Sequence, residues 1–161
     1  MSAPLVIRLP GEPRGKGRHR TRVMQLPGGR AAVRQHPDAK TDAYEKRLCA
    51  AAQVAMAGRP LMTGMLSVVV FAFFPIPARW PKRKKEQARA RLLRPTVKPD
   101  WDNIGKTTDA LNAVVWGDDA SVVDGFVRKF YADLPELVVT VEEISVRDAV
   151  AEALPRTRRP A

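Results

Sequence analysis

Lys98 to Asn103 reads KPDWDN, two acids one residue apart in a chain whose 28 Lys and Arg outnumber its 17 Asp and Glu by eleven charges. Lys106 follows one helical turn after Asp102, and a second pair of acids, Asp118 and Asp119, closes the stretch WGDD. Such carboxylates form a set of hard oxygen donors suited to Mg²⁺, with Mn²⁺ as a substitute. An ion held there activates water and stabilises the charge that builds on a phosphoryl group. Lys106 would add a positive charge near the scissile phosphate or its leaving oxygen. One cysteine, Cys49, and two histidines, His19 and His36, are too few for a zinc site of Cys and His ligands.

Each acid taken singly has an ordinary structural reading, because Asp is a common helix N-cap and paired Asp before a strand is common turn chemistry. The joint pattern argues otherwise. Residues 1–40 hold nine Lys or Arg against two acids, and residues 79–98 hold nine against one, whereas residues 100–124 hold six aspartates and one lysine. An acidic island between basic flanks suits a polyanionic partner, nucleic acid first among them. A basic DNA-binding module whose acids are only caps and turns remains an alternative. A glycosyltransferase using Asp-x-Asp fits neither the size nor the charge.

The elements that must position these residues follow from the pattern. PLVIRL predicts a first strand and PGEPRGKGRHRTR a basic loop. The segment around Pro27-Gly28-Gly29 predicts a hairpin. Tyr44, Leu48, Ala51, Ala52 and Ala55 share one face of a helix over 42–57, with Thr41 or Asp42 as N-cap. GMLSVVVFAFFPIP is apolar on both faces, as a central strand would be. PKRKKEQARARLLR predicts a short basic helix anchored by Leu92 and Leu93, or a mobile segment. A helix over 103–115, capped by Asp102, turns Ile104, Thr108, Leu111 and Val115 to the core and leaves Asp102, Lys106 and Asp109 on an exposed stripe. Asp100, extended ahead of it, converges with Asp102 at the helix start. Over a helix of about 12 residues, roughly 18 Å, Asp119 rejoins Asp100 and Asp102 only if the following segment runs back alongside, or if a second subunit supplies it. SVVDGFVRKFY and ELVVTVEEISV, joined by ADLP, predict a second hairpin, before a basic tail.

At 161 residues the expectation is one globular unit, α/β of the mixed α+β kind: a small mixed sheet with an N-terminal hairpin, two main helices and a C-terminal β-hairpin. The longest apolar run is cut by Pro75 and Pro77 short of a membrane span. The first residues lack the order of a secretory signal, so a cytoplasmic protein is expected.

KPDWDNIGKTTDALNAVVWGDDASVV resembles the signature of the RusA family of Holliday junction resolvases: Pro-Asp-x-Asp-Asn-x-x-Lys, then Asp-Ala-Leu, then Trp, then Asp-Asp before a strand. PRGKGRHR resembles the family's N-terminal basic loop, with His19 where Pro is usual, and the lead WPKRKKEQARARLLRPTVKPD resembles phage and prophage members. The likeness covers roughly residues 4–146; an endonuclease domain over 1–146 and a disordered tail over 147–161 are expected. The resemblance implies a bacterial or phage homodimer of mixed α/β fold that cuts four-way DNA junctions by paired, Mg²⁺-dependent incisions. It assigns Asp100, Asp102 and Asp119 as metal-binding catalytic acids, Asp118 as a secondary ligand, and Lys106 as an essential lysine. DNA contacts would fall on Lys16, Arg18 and Arg20, with Lys98 and Asn103 beside the site. The basic run Lys82, Arg83 and Lys84 is expected on DNA as well, since phosphates around an acidic site must be neutralised. A branch or flap nuclease for phage DNA is a variant of this reading. Trp80 and Trp116 are assigned to packing; Trp101, between the acids, is expected to pack against the core or a dimer partner, with stacking on an unpaired base as the alternative; His36 and Cys49 are read as structural or incidental.

Overall fold

The computed structural model describes residues 3–17, 20–25, 31–36 and 38–145. β1 (Leu5–Pro10) alternates Leu5, Ile7 and Leu9 inward with exposed residues between, the two-residue period of a strand with one wet face. β2 (Arg20–Gln25) and β3 (Ala31–His36) pair antiparallel as the predicted N-terminal hairpin. α1 (Ala39–Met56) buries Tyr44, Leu48, Ala52 and Met56, the face read from the sequence. It starts earlier than expected: Asp38 is the N-cap, and Thr41 lies buried inside the first turn, where its Oγ1 accepts a hydrogen bond from Gly17 N at 3.1 Å.

β4 (Met65–Pro75) is interior to a four-stranded sheet of order β1-β6-β4-β5. β6 (Glu136–Ile144) runs antiparallel to both β1 and β4, and β5 (Val122–Ala132) runs parallel to β4 along the sheet's edge. The predicted C-terminal hairpin is therefore corrected: β5 and β6 are consecutive but not neighbours. β4 carries apolar residues on both faces and pairs over most of its length on both sides, Met65 to Phe73 with β6 and Leu66 to Pro75 with β5, so it takes the place between them. Leu66, Val68, Val70, Ala72 and Phe74 face the core with Leu137, Val139 and Val141. On the opposite face Phe71, Phe73 and Phe130 stack with centroids 5.7 to 6.4 Å apart.

Parallel neighbours need a crossover connection. Residues 76–121 are that crossover, and they contain the acidic island. α2 (Lys82–Arg89) opens it, anchored by fully buried Ala88 and not by Leu92, which is 75% exposed. Trp80 packs edge-on against Tyr131 at 5.0 Å, and Arg89 bonds Asp133 at 2.8 Å, so α2 is tied to the end of β5. The helix expected over 103–115 is shorter and tighter: α3 spans Trp101–Gly105, and Lys106–Leu111 is 3₁₀. Gly105 is a poor helix former, and the Thr107 and Thr108 hydroxyls donate back to Ile104 O at 2.6 Å and Gly105 O at 2.8 Å, which favours the tighter winding. Thr107, not Thr108, is the buried threonine, while Ile104, Leu111 and Val115 fill the core as expected. Trp116 is buried, its Nε1 donating to Asn112 Oδ1 at 2.5 Å.

Leu48 is fully buried between α1 and the sheet. Leu48→Ala should lower the unfolding free energy by about 2–5 kcal/mol in urea titration, the range for a core leucine truncation. A loss below about 0.5 kcal/mol, typical of surface sites, would contradict this packing.

Candidate active site

Asp100 is the N-cap residue of α3, with extended backbone (φ −68°, ψ 151°); its carbonyl accepts from Ile104 N at 3.1 Å. Its carboxylate makes no capping bond and is exposed. Asp102, read from the sequence as the cap, instead sits in the first turn. Its Oδ2 accepts from Lys106 Nζ at 2.9 Å, four residues on. That hydrogen bond, aided by backbone amides, holds the Asp102 carboxyl below the usual carboxylate range against a smaller opposing effect of burial. The acid pair and the lysine thus stand together as the spacing predicted.

Asp109 leaves this stripe. Its Oδ2 accepts from Lys16 Nζ at 2.9 Å, and Glu45 Oε1 lies 3.6 Å from the same ammonium. The bond to Asp109 raises the Lys16 pKa despite partial burial. Lys16, expected on DNA, is here the tie between the basic loop, α1 and the 3₁₀ segment. Its backbone N–H donates to Asn103 O at 2.7 Å. The loop approaches so closely that a Cβ on Gly15 would lie 2.8 Å from Pro99 Cβ and 3.0 Å from Asn103 Cβ. Glycine is required there by contact, and the motif's glycines were not read that way from sequence.

Two open hollows flank Asp100. One is lined by Gly15, Lys16, Gly17, Lys98, Pro99 and Asn103; the other by Pro95, Thr96, Val97, Trp101, Asp102 and Lys129. Lys98 is exposed beside the first. Trp101, expected to pack, is 66% exposed within the chain and lies at the rim of the second. Lys82, Arg83 and Lys84 are exposed on α2, with Lys84 Nζ 4.0 Å from the centroid of the Trp80 ring. Arg20 begins β2, whereas Arg18, His19 and the tail lie outside the described residues.

Asp118 and Asp119 stand at the start of β5. Asp118 Oδ1 accepts from Ala120 N at 2.8 Å, which is turn capping; Asp119 opens the 3₁₀ turn Asp119–Ser121 and is exposed. β5 runs back past α3, where a Cβ on Gly105 would meet Val127 Cγ2 at 3.3 Å, and reaches the Asp100 loop at Lys129. Val122 to Lys129 is seven steps of strand, roughly 23 Å. Among the described residues, no three His, Cys, Asp or Glu side chains are placed to hold a metal. Among the described residues Asp100 and Asp102 stand as a pair, with Asp119 toward the other end of β5.

Lys129 was not singled out by sequence reasoning. Its Nζ donates to Val97 O at 2.5 Å and Pro99 O at 2.9 Å. It lies 29 positions after Asp100, and a single lysine in a strand carries no spacing signal that could have marked it.

A basic α/β chain that sets exposed carboxylates and a lysine between cationic segments has the makings of a nuclease that acts on phosphodiesters. The family model described as endodeoxyribonuclease RusA matches residues 10–142. A Bacillus subtilis (strain 168) protein named uncharacterized protein YqaN is 39% identical over 140 residues, covering 84% of this chain and 93% of that protein. The chain belongs to the RusA family of endodeoxyribonucleases, the Holliday junction resolvases its motif resembles.

Asp102 owes its lowered pKa first to Lys106. In an NMR pH titration of side-chain carboxyl carbons, Lys106→Ala should move the Asp102 midpoint up toward the ordinary carboxylate range. The sign is that of a group with depressed folded pKa, whose favourable pairing is present above its unfolded pKa and lost as pH falls through the folded one. An unmoved midpoint would mean that Lys106 does not hold the carboxylate.

Proposed function

We propose that the protein is a homodimeric endonuclease that resolves four-way DNA junctions by paired phosphodiester hydrolysis, dependent on Mg²⁺ and accepting Mn²⁺, in recombination and repair. The observation that carries this is the pair of carboxylates at the start of α3, exposed and set against Lys106, between segments of strong positive charge in a chain of this family. Asp100 and Asp102 suit a hard divalent cation, whose preference is for a few carboxylates with water and phosphate in the remaining positions. Bound there, such an ion supplies an activated water and offsets charge on the phosphoryl group.

The chain's own residues prepare that site. Lys106 keeps Asp102 ionised and brings a positive charge to where negative charge develops. Exposed Lys82, Arg83, Lys84 and Lys98 offset the phosphates that Asp100 and Asp102 would repel, with Arg18 and Arg20 as further candidates. The third acid is where the dimer enters. Because Asp119 opens the edge strand at the far end from the Asp100 loop, the partner subunit's Asp119 is the acid that completes the set. Asp118, engaged in its own turn, is the weaker candidate. A two-fold dimer then holds two sites of identical make-up, which matches two symmetric strands of a junction.

A synthetic four-way junction, a linear duplex and a single strand should separate cutting from binding. The junction should be cut with Mg²⁺ and left whole with EDTA, while the other two are cut far more slowly. Asp100→Asn should abolish cutting and leave junction binding equal or tighter, because a negative charge near phosphate is removed. Tight binding without metal-dependent cutting would instead mark a DNA-binding module, and parallel loss of binding and cutting in Asp100→Asn would exclude a metal-holding role for that acid.

A further inference from the structure

Residues 91–100 approach the acid pair without helix or strand, and α3 itself is five residues long. The Ile104 N–H bond to Asp100 O ties the residue to α3, but no regular backbone bonding holds the loop on its N-terminal side. The structure has another fixture. Lys129 lies on β5, opposite Ala72 of β4, in the unbroken stretch of pairing from Ser67 to Pro75. Its part-buried ammonium reaches across to Val97 O at 2.5 Å and Pro99 O at 2.9 Å, the carbonyls on either side of Lys98. The peptide group is planar, so a bond to Pro99 O fixes the plane that also contains the nitrogen and Cα of Asp100.

On the opposite flank the Gly15 backbone leaves no room for Pro99 to retreat, and Lys16 N holds Asn103 O. The loop is thus clamped between the sheet and the basic loop. Lys129 is suited to this in a way the exposed lysines of α2 are not. Its ammonium is engaged with two carbonyls, and it packs 5.6 Å from the Phe74 ring centroid. Burial depresses its pKa, and the negative charge of Asp100 works against that depression, so the two groups sense one another.

We infer that Lys129 is a positioning residue for Asp100: it fixes the Val97–Pro99 carbonyls and thereby the direction in which the Asp100 carboxylate is presented to a divalent cation and the scissile phosphate. This rests on the reading of Asp100 as a metal-holding acid. Lys129 does not itself contact DNA.

Lys129→Met keeps the length of the stem and removes the donors; Lys129→Arg keeps donors able to reach both carbonyls. Two readouts separate the possibilities: steady-state cutting of a four-way junction, and quenching of the exposed Trp101 by added Mn²⁺ in the absence of DNA. Lys129→Met should lower kcat about ten- to hundredfold, as removal of groups that orient metal ligands does, with a matching rise in the Mn²⁺ concentration for half-quenching. KM for the junction and Tm should stay near wild type, and Lys129→Arg should recover most of the loss. Unchanged kcat and Mn²⁺ affinity in Lys129→Met would overturn the inference. So would a KM rise that accounts for the whole loss, which marks a phosphate contact, or a fall in Tm with no recovery in Lys129→Arg, which marks a fold role. If wild-type protein shows neither saturable Mn²⁺ quenching nor junction cutting, it is the metal-site reading that fails; normal wild-type behaviour with an indifferent Lys129→Met fails the positioning role alone.

Discussion

Carboxylates repel one another and repel phosphate, and the molecule is arranged around that repulsion. Asp100 and Asp102 stand together at the start of α3, Asp100 exposed and Asp102 half-buried, in a region of net negative charge. Lys106 neutralises one of them within the chain at 2.9 Å. The other acids of the island are dispersed: Asp109 to Lys16, Asp118 to its own turn, and Asp124 to Ser67 Oγ at 3.2 Å. Among the described residues no cation is bonded to the Asp100 carboxylate, which is open to solvent.

The sheet supplies the rigid reference for this arrangement. β4 and β5 pair in parallel, and the crossover they require is the segment that carries α2, the Asp100 loop and α3. β5 then serves both ends of the site: Lys129 on its later half grips the loop of Asp100, while Asp119 precedes its first residue. A strand holds these two groups apart by its own length. The same strand sets Asp119 of the same chain toward its other end, and on the proposed dimeric reading the partner subunit's Asp119 supplies that acid.

Much of this was legible in the residues. β1, β4 and the buried face of α1 follow from period and propensity, and the Asp102 to Lys106 pairing follows from a spacing of four. The core positions Ile104, Leu111 and Val115 were read correctly although the helix expected to present them is half 3₁₀; the tighter winding repeats every three residues, which buries Thr107, three after Ile104, where Thr108 was expected. What failed was non-local. ADLP looks like a hairpin turn, and nothing within it reveals that β4 will take the place between the flanking strands. Leu92 looked like an anchor by hydrophobicity, yet the small Ala88 fits against the sheet. Trp101 does not pack into the core of its own chain, which leaves it exposed beside the acids. The ion pairs of Lys16 with Asp109 and Glu45 were not read from the sequence, because the two acids come from distant segments. Lys129 was invisible because its partners are backbone carbonyls, which every residue has.

The central claim is that one active site draws Asp100 and Asp102 from one chain and Asp119 from the other. It is tested most directly by a heterodimer of an Asp100→Asn chain and an Asp119→Asn chain, carrying different affinity tags and purified from each homodimer. Shared sites leave one of the two with all three acids intact, so the heterodimer should nick a four-way junction in one strand while both homodimers stay inactive. If every site is built within a single chain, each site in the heterodimer lacks one acid; a heterodimer as inactive as the two homodimers would contradict the account.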